Sequence, residues 1–345
     1  MRSKTKRESS SRLIQSRALL SLGLIIGSVL LLLCLGWSIT LGAADISLQT
    51  IWESLFAFDD SLFQHLVIQT VRLPRVVTGA MVGASLAVAG AIMQGLTRNP
   101  LASPAILGIN AGAAFAVVLT VFILGSPPLS VYSIAAFIGA GIASVIVYGL
   151  GSMGRGGATP LRLTLAGAVF TTFVGSFTTA LLITSQDTLD QIRFWTVGSL
   201  AGRDWALFIQ TAPYLLIGLV GALLLARQIT TISLGEDIAT GLGQNVVVVK
   251  GLAAIVVVLL AGGSVSLAGP IGFVGLVAPH MVRFMVGQDY RWILPYCALV
   301  GAILVIIGDM MARIIIRPQE LPVGVMMALI GAPFFIYLAR WKVDR

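Results

Sequence analysis

The sequence predicts an all-α polytopic membrane protein of about ten transmembrane helices. Three observations carry this. The 345 residues are 57% hydrophobic and only 10% charged, against about 25% charged in soluble domains. Glycine is abundant, at 38 residues, as suits membrane helices that pack backbone against backbone. Apolar runs near the roughly 20 residues needed to cross a bilayer recur along the whole chain. A chain so poor in charge cannot wet the surface of a single core, which excludes the soluble enzyme classes.

The elements follow in order. Residues 1–17 form a basic tail. The first apolar run, 18–41, is longer than the core of a secretory signal, so it reads as an uncleaved span despite the small residues Gly42, Ala43 and Ala44. Further segments lie at 73–94, 105–124, 130–150, 161–184, 206–226, 246–266, 271–286, 292–312 and 323–340. The eighth is short and flanked by Gly and Pro, which suits a partial or tilted helix. Polar connections lie at 42–71, 185–205 and 227–245. Together, 18–345 form one transmembrane domain.

With the N-terminus in the cytoplasm, ten spans place sixteen Lys and Arg inside and six outside, and five acidic residues inside against nine outside. This is the positive-inside pattern with both termini cytoplasmic. The net charge of +8 therefore reports membrane orientation, and no nucleic-acid partner is expected.

Small residues repeat every four positions at Gly79, Gly83, Ala87, Ala91 and Gly95, at Gly108, Gly112 and Ala116, and at Gly324, Ala328 and Ala332. Such ridges permit close helix crossings. The fifth span is the most hydroxylated. Its Thr172, Ser176 and Thr179 follow i, i+4, i+7, as either hydroxyls bonded to their own helix carbonyls or an uncharged pathway wall.

No Lys follows a Gly, so the chain has no Gly-Lys-Ser/Thr phosphate loop. ATP and Mg, where used, belong to another chain; no cofactor or metal is expected here. Cys34 and Cys297 suggest neither a disulfide framework nor a zinc site. Ser264 with His280 offers an intramembrane protease reading. Few ionisable groups fall inside spans, which counts against an ion-coupled carrier. Asp309 is read as an ion pair with Arg313, one turn on. Arg72 and Arg75 flank Pro74 on one outer face, poised for lipid phosphates or an acidic partner. Ser233-Leu234-Gly235-Glu236 fits a capping box, opening a short helix that ends near Leu242 at Gly243.

Three motifs then resemble one family. Arg72-Leu-Pro-Arg75, Gly83 through Gln94 and Asn99-Pro-Leu-Ala102 form the first. Gly269-Pro-Ile-Gly-Phe-Val-Gly-Leu-Val-Ala-Pro279-His280-Met-Val-Arg283 is the second. Glu320-Leu-Pro-Val-Gly324 with Gly331-Ala-Pro-Phe334 is the third. From about residue 60 to the C-terminus the chain resembles the FecCD-type permeases, the membrane subunits of ABC importers for iron-siderophore, haem and cobalamin.

The resemblance implies a cobalamin-permease-like bundle of ten spans in the bacterial cytoplasmic (inner) membrane, with spans 2–5 and 7–10 related by pseudo-symmetry. It implies a second permease subunit, identical or related, two cytoplasmic ATPase subunits and an extracytoplasmic substrate-binding protein. A ferric-siderophore complex is the first cargo it suggests, with cobalamin or haem as alternatives. By family position, Arg72, Arg75 and Arg313 meet acidic residues of the binding protein. Ser233, Gly235, Glu236, Asp237, Ala239, Leu242 and Gly243 form the coupling segment to the ATPase. Asn99 and Leu101 lie at the inner gate. Thr159-Pro160 aligns near another gate segment, where the cobalamin permease has Thr-Ser, so Pro160 departs from that pattern.

Overall fold

A computed structural model describes residues 16–42, 46–153 and 159–343. The basic tail therefore lies outside the described residues except for Ser16 and Arg17, and so do Ala43 and Ala44. Every regular element among the described residues is helical.

The chain opens with α1 (Arg17–Thr40), capped by Ser16, and α2 (Leu48–Phe56), capped by Ser47. Then α3 (Phe63–Val67), a π turn (Ile68–Arg72) and α4 (Leu73–Thr97) run as one helix. Pro74 explains the π turn: it lacks an N–H for the carbonyl four residues back, so the ladder widens there. A 3₁₀ turn (Pro104–Leu107) leads into α5 (Ile109–Leu124), α6 (Leu129–Ser152) and α7 (Pro160–Thr184). Next come α8 (Gln186–Val197), α9 (Trp205–Leu234) and the short α10 (Glu236–Gly241). Then α11 (Val246–Val257), a second π turn (Val258–Gly262) and α12 (Gly263–Ala268) form one helix. The chain closes with α13 (Val274–Val286), α14 (Tyr290–Ile314) and α15 (Val323–Val343).

Among the described residues, seven helices are long and apolar enough to cross a membrane, and three shorter apolar helices accompany them at Ile109–Leu124, Val274–Val286 and Val323–Ile336. All ten fall on the apolar segments read from the sequence. The short eighth segment is the 13-residue α13. Two boundaries differ. The second helix starts ten residues earlier, because the apolar residues Phe63, Leu66 and Val67 extend it through the π turn. The sixth runs to Leu234, so the first eight residues of the expected loop 227–245 are helical.

The small-residue ridge makes α4 the central post. Nearly all of its residues are buried. A Cβ on Gly83 would overlap the Gly301 carbonyl of α14, and one on Gly90 would overlap Gly275 of α13. Gly112 of α5 meets Gly139 of α6 in the same way. At the start of α15, Gly324 donates its N–H to the Gly198 carbonyl (3.0 Å), and its Cα faces the Val197 carbonyl oxygen so closely that a side chain has no room. Helices α1 and α7 lie at the periphery, with few buried residues each.

Candidate functional site

The first feature is an arginine corner where the end of α1, the start of α4 and the end of α14 converge. The α1 helix finishes with carbonyls that have no partner within the helix. Arg313 Nη1 donates to the Ser38 (2.9 Å) and Leu41 (2.7 Å) carbonyls, and Arg72 Nη1 to those of Ile39 (2.6 Å) and Thr40 (2.9 Å). Two cations thus satisfy four successive oxygens at the negative end of a helix dipole. Arg313 Nη2 also donates to the Ser38 hydroxyl.

Asp309, fully buried, organises the rest. Arg75 forks onto it through Nε (3.1 Å) and Nη2 (2.9 Å), and Arg313 Nη2 lies 3.0 Å from its other oxygen. The remaining Arg75 nitrogen, Nη1, reaches Glu320 at 2.6 Å. The expected Asp309–Arg313 pair is present. The expectation of three exposed outer guanidiniums is corrected: Arg72, Arg75 and Arg313 are all buried and bonded within the chain. Removing water from a guanidinium is costly, so burial is possible only because each finds carboxylate or carbonyl partners. Arg203, in the turn before α9, is also buried. Its Nε donates to the Ser199 carbonyl (3.3 Å), and burial pushes the guanidinium down to about 10 despite neighbouring Asp204.

A second polar network sits at the other end of α4. Arg283 donates to Gln94 and to the Tyr290 hydroxyl (3.1 Å), Gln94 Nε2 donates to the Gly275 carbonyl (3.1 Å), and the Tyr290 N–H donates to Thr230 Oγ1 (3.0 Å). It joins α13, α4, α14 and α9. Sequence reading missed it because its bonded partners are up to 189 residues apart.

The segment that the resemblance assigns to coupling follows α9 at this same end. Ser233 does not cap α10: α9 continues through Leu234, and the Ser233 hydroxyl donates back to the Thr230 carbonyl (2.6 Å). Gly235 takes the N-cap position instead, at φ +139°. Gly243 holds φ +79°, the left-handed stop expected of it. The segment is braced. Glu236 pairs with Lys250 of α11 (2.7 Å), and Gln244 Nε2 bonds the Gln228 carbonyl (3.2 Å). Ala239 is buried beneath, while Asp237, Ile238, Leu242 and Val247 are exposed.

The gate candidates are ordered. Arg98 ends α4 in the left-handed conformation, and Asn99 Oδ1 then accepts the Leu101 N–H (2.9 Å), leaving Leu101 exposed. Thr159 Oγ1 caps α7 by accepting the Arg162 N–H (3.4 Å). Along α7, Thr172 donates to the Ala168 carbonyl (3.0 Å) and Ser176 to that of Thr172 (2.9 Å). The Thr172 and Ser176 hydroxyls are thus bonded within the helix, and the two residues share an exposed row with Thr179. Ser264 donates to the Leu260 carbonyl (2.6 Å), and His280 packs edge-on against Phe284 and Phe334. Among the described residues, no group of three or more His, Cys, Asp or Glu is placed to hold a metal ion.

A helical bundle of this kind, with seven helices long and apolar enough to cross a membrane among the described residues and a glycine-packed central post, defines a polytopic α-helical membrane protein. The chain matches the FecCD transport family over residues 30–341 and belongs to it. It is 47% identical over 319 residues to the iron(3+)-hydroxamate import system permease protein FhuB of Bacillus subtilis (strain 168), covering 90% of this chain and 81% of that one. It is 44% identical over 335 residues to the Fe(3+)-citrate import system permease protein YfmD of the same organism, covering 97% of each. A solved structure, an inward-facing conformation of a metal-chelate type ABC transporter, superposes with a TM-score of 0.81 at 30% identity, over 93% of this chain and 99% of that one. The protein is a multi-pass transport subunit of a bacterial cytoplasmic membrane, and it is not itself the catalyst of ATP hydrolysis.

Proposed function

We propose that this chain is one of two permease subunits, identical or related, of an ABC importer for iron(III) chelates of the siderophore class. In this reading ten helices span the bilayer, with both termini and the 227–245 loop in the cytoplasm, where two ATPase subunits bind ATP and Mg. A binding protein delivers the chelate from outside, and nucleotide-driven rocking of the two permeases alternates access to the pathway.

The observation that carries the reading is the coupling segment. Ile238 and Leu242 are apolar and exposed on a loop outside the apolar spans. Exposed apolar side chains on a rigid loop mark a protein contact. The Glu236–Lys250 and Gln244–Gln228 bonds let a push on α10 reach α11 and α9. The relatives' names support an iron chelate as cargo.

The exposed row of Thr172, Ser176 and Thr179 on α7 is assigned to the pathway wall, which passes a large solute without holding it. Asn99, Leu101 and Thr159 border its inner gate. At the other end, the binding protein meets the surface whose shape Arg72, Arg75 and Arg313 hold from beneath, where Glu320, paired with Arg75 Nη1, is part-exposed.

The test is reconstitution of the full importer with its ATPase and binding protein. ATP-dependent accumulation of an iron(III) hydroxamate or citrate chelate is the expected result. Uptake driven by an ion gradient without ATP would reject the reading.

A further inference from the structure

The connection between α1 and α3 presents a surface apart from the groups described above. Ile51 and Ser54 of α2 are buried, and they seat the helix on a small core of Ile39, Ile68, Val76, Ile306 and Met310. At about 100° per residue, the rest of α2 divides into two further arcs. Leu48, Trp52, Leu55 and Phe56 fill one continuous arc of about 100°, and they are exposed: Leu48 and Phe56 at 70% and Trp52 at 65%. Gln49 and Glu53 fill the next arc, joined by a hydrogen bond of 2.8 Å.

A helix in water needs only two arcs, one buried and one polar. A third, apolar and exposed, implies a third medium. The arc also carries the right chemistry for a membrane interface. Trp52 and Phe56 pack against each other at a tilt, with ring centroids 4.2 Å apart, and Trp is enriched at the headgroup level. The candidate membrane helix α1, which precedes it, also carries an exposed apolar row, Leu30, Leu33 and Trp37 at i, i+3, i+7, up to its last turn. Residues 46–71 include Glu53, Asp59 and Asp60 but neither Lys nor Arg before the π turn ends at Arg72, so attraction to anionic headgroups is not the driving term.

We propose that α2 lies along the bilayer surface at the arginine-corner end, its Leu48–Trp52–Phe56 arc sunk into the boundary between headgroups and acyl chains. The partner is lipid, held by apolar burial. One bond ties the anchor to the corner: Gln69 Nε2, three residues before Arg72, donates to the Ser54 carbonyl (2.8 Å). The proposal is independent of which chelate is carried and of which face is outside.

The test places a nitroxide on Cys at position 52 (Trp52→Cys) or 53 (Glu53→Cys) in the full-length chain carrying Cys34→Ala. The chain is reconstituted in phosphatidylcholine–phosphatidylethanolamine vesicles. The expected result is an oxygen-to-nickel-chelate accessibility ratio several-fold higher at 52 than at 53. Equal nickel access at the two positions would put the whole helix in water and overturn the proposal. A label at 52 shielded from both reagents would give the arc to a protein partner and overturn it equally. Leu48→Cys and Phe56→Cys report the same arc should Trp52→Cys not fold.

Discussion

Asp309 and Arg75 lie 234 residues apart and form a bidentate pair in the interior, closed on its other side by Arg313. One carboxylate thus faces two guanidiniums, and it can do so because α1's terminal carbonyls and Glu320 accept the remaining donors.

Removing that carboxylate is expected to be severe. Asp309→Ala leaves two buried cations without their shared partner, a loss of about 3–5 kcal/mol. Thermal unfolding in detergent should show a large fall in midpoint. The triple change Asp309→Leu, Arg75→Met, Arg313→Met should recover part of it, since an apolar set of similar volume needs no compensation. An Asp309→Ala chain as stable as the parent would show that the cluster is hydrated and loosely held.

Backbone contacts make a second, sharper prediction. A methyl on Gly324 would overlap the Val197 carbonyl, and one on Gly90 would overlap Gly275. Gly324→Ala and Gly90→Ala should each cost about 1–3 kcal/mol through overpacking. Gly175→Ala, where a Cβ meets open space, is the control and should leave the unfolding midpoint unchanged.

The proposed coupling segment should separate assembly from transport. Gly243 has φ +79°, which Pro, fixed near −65°, cannot adopt. Gly243→Pro should reduce chelate uptake strongly at normal expression. Leu242→Asp should weaken co-purification of the ATPase, because it puts a charge into an apolar contact. Wild-type uptake and co-purification in both would remove the coupling role from this loop.

For the pathway, Cys introduced at Thr172, Ser176 or Thr179 should react with a water-soluble thiol reagent, at rates that change when nucleotide is added. Protection of all three in every state would place the α7 face against lipid or protein.

Much of this was legible in the sequence, and the limits have physical causes. Apolar segments report burial in lipid directly, so all ten helices were located. Four-residue spacing put Gly83 and Gly90 on one ridge, but not what they touch, since Gly301 and Gly275 are some two hundred residues away. The Asp309–Arg313 pair was visible because helical neighbours at i, i+4 need no tertiary knowledge. The Arg75–Asp309 fork was not, and arginines near helix ends were read as facing outward, as long cationic side chains usually do. Ser233 misled for a local reason: its capping-box spacing is genuine, but α9 does not stop in time to use it.

The glycine contacts along α4 bear on how such a subunit can move. Where Gly83 meets Gly301 and Gly90 meets Gly275, no side chain stands between the two helices. A rotamer change cannot absorb a small displacement there, as it can between leucines. Sliding α4 past α14 or α13 would drive carbonyls into neighbouring backbone or open an empty seam. The helices around this post behave as a single stiff lever, and the joint that lets a transporter alternate must lie at its margins.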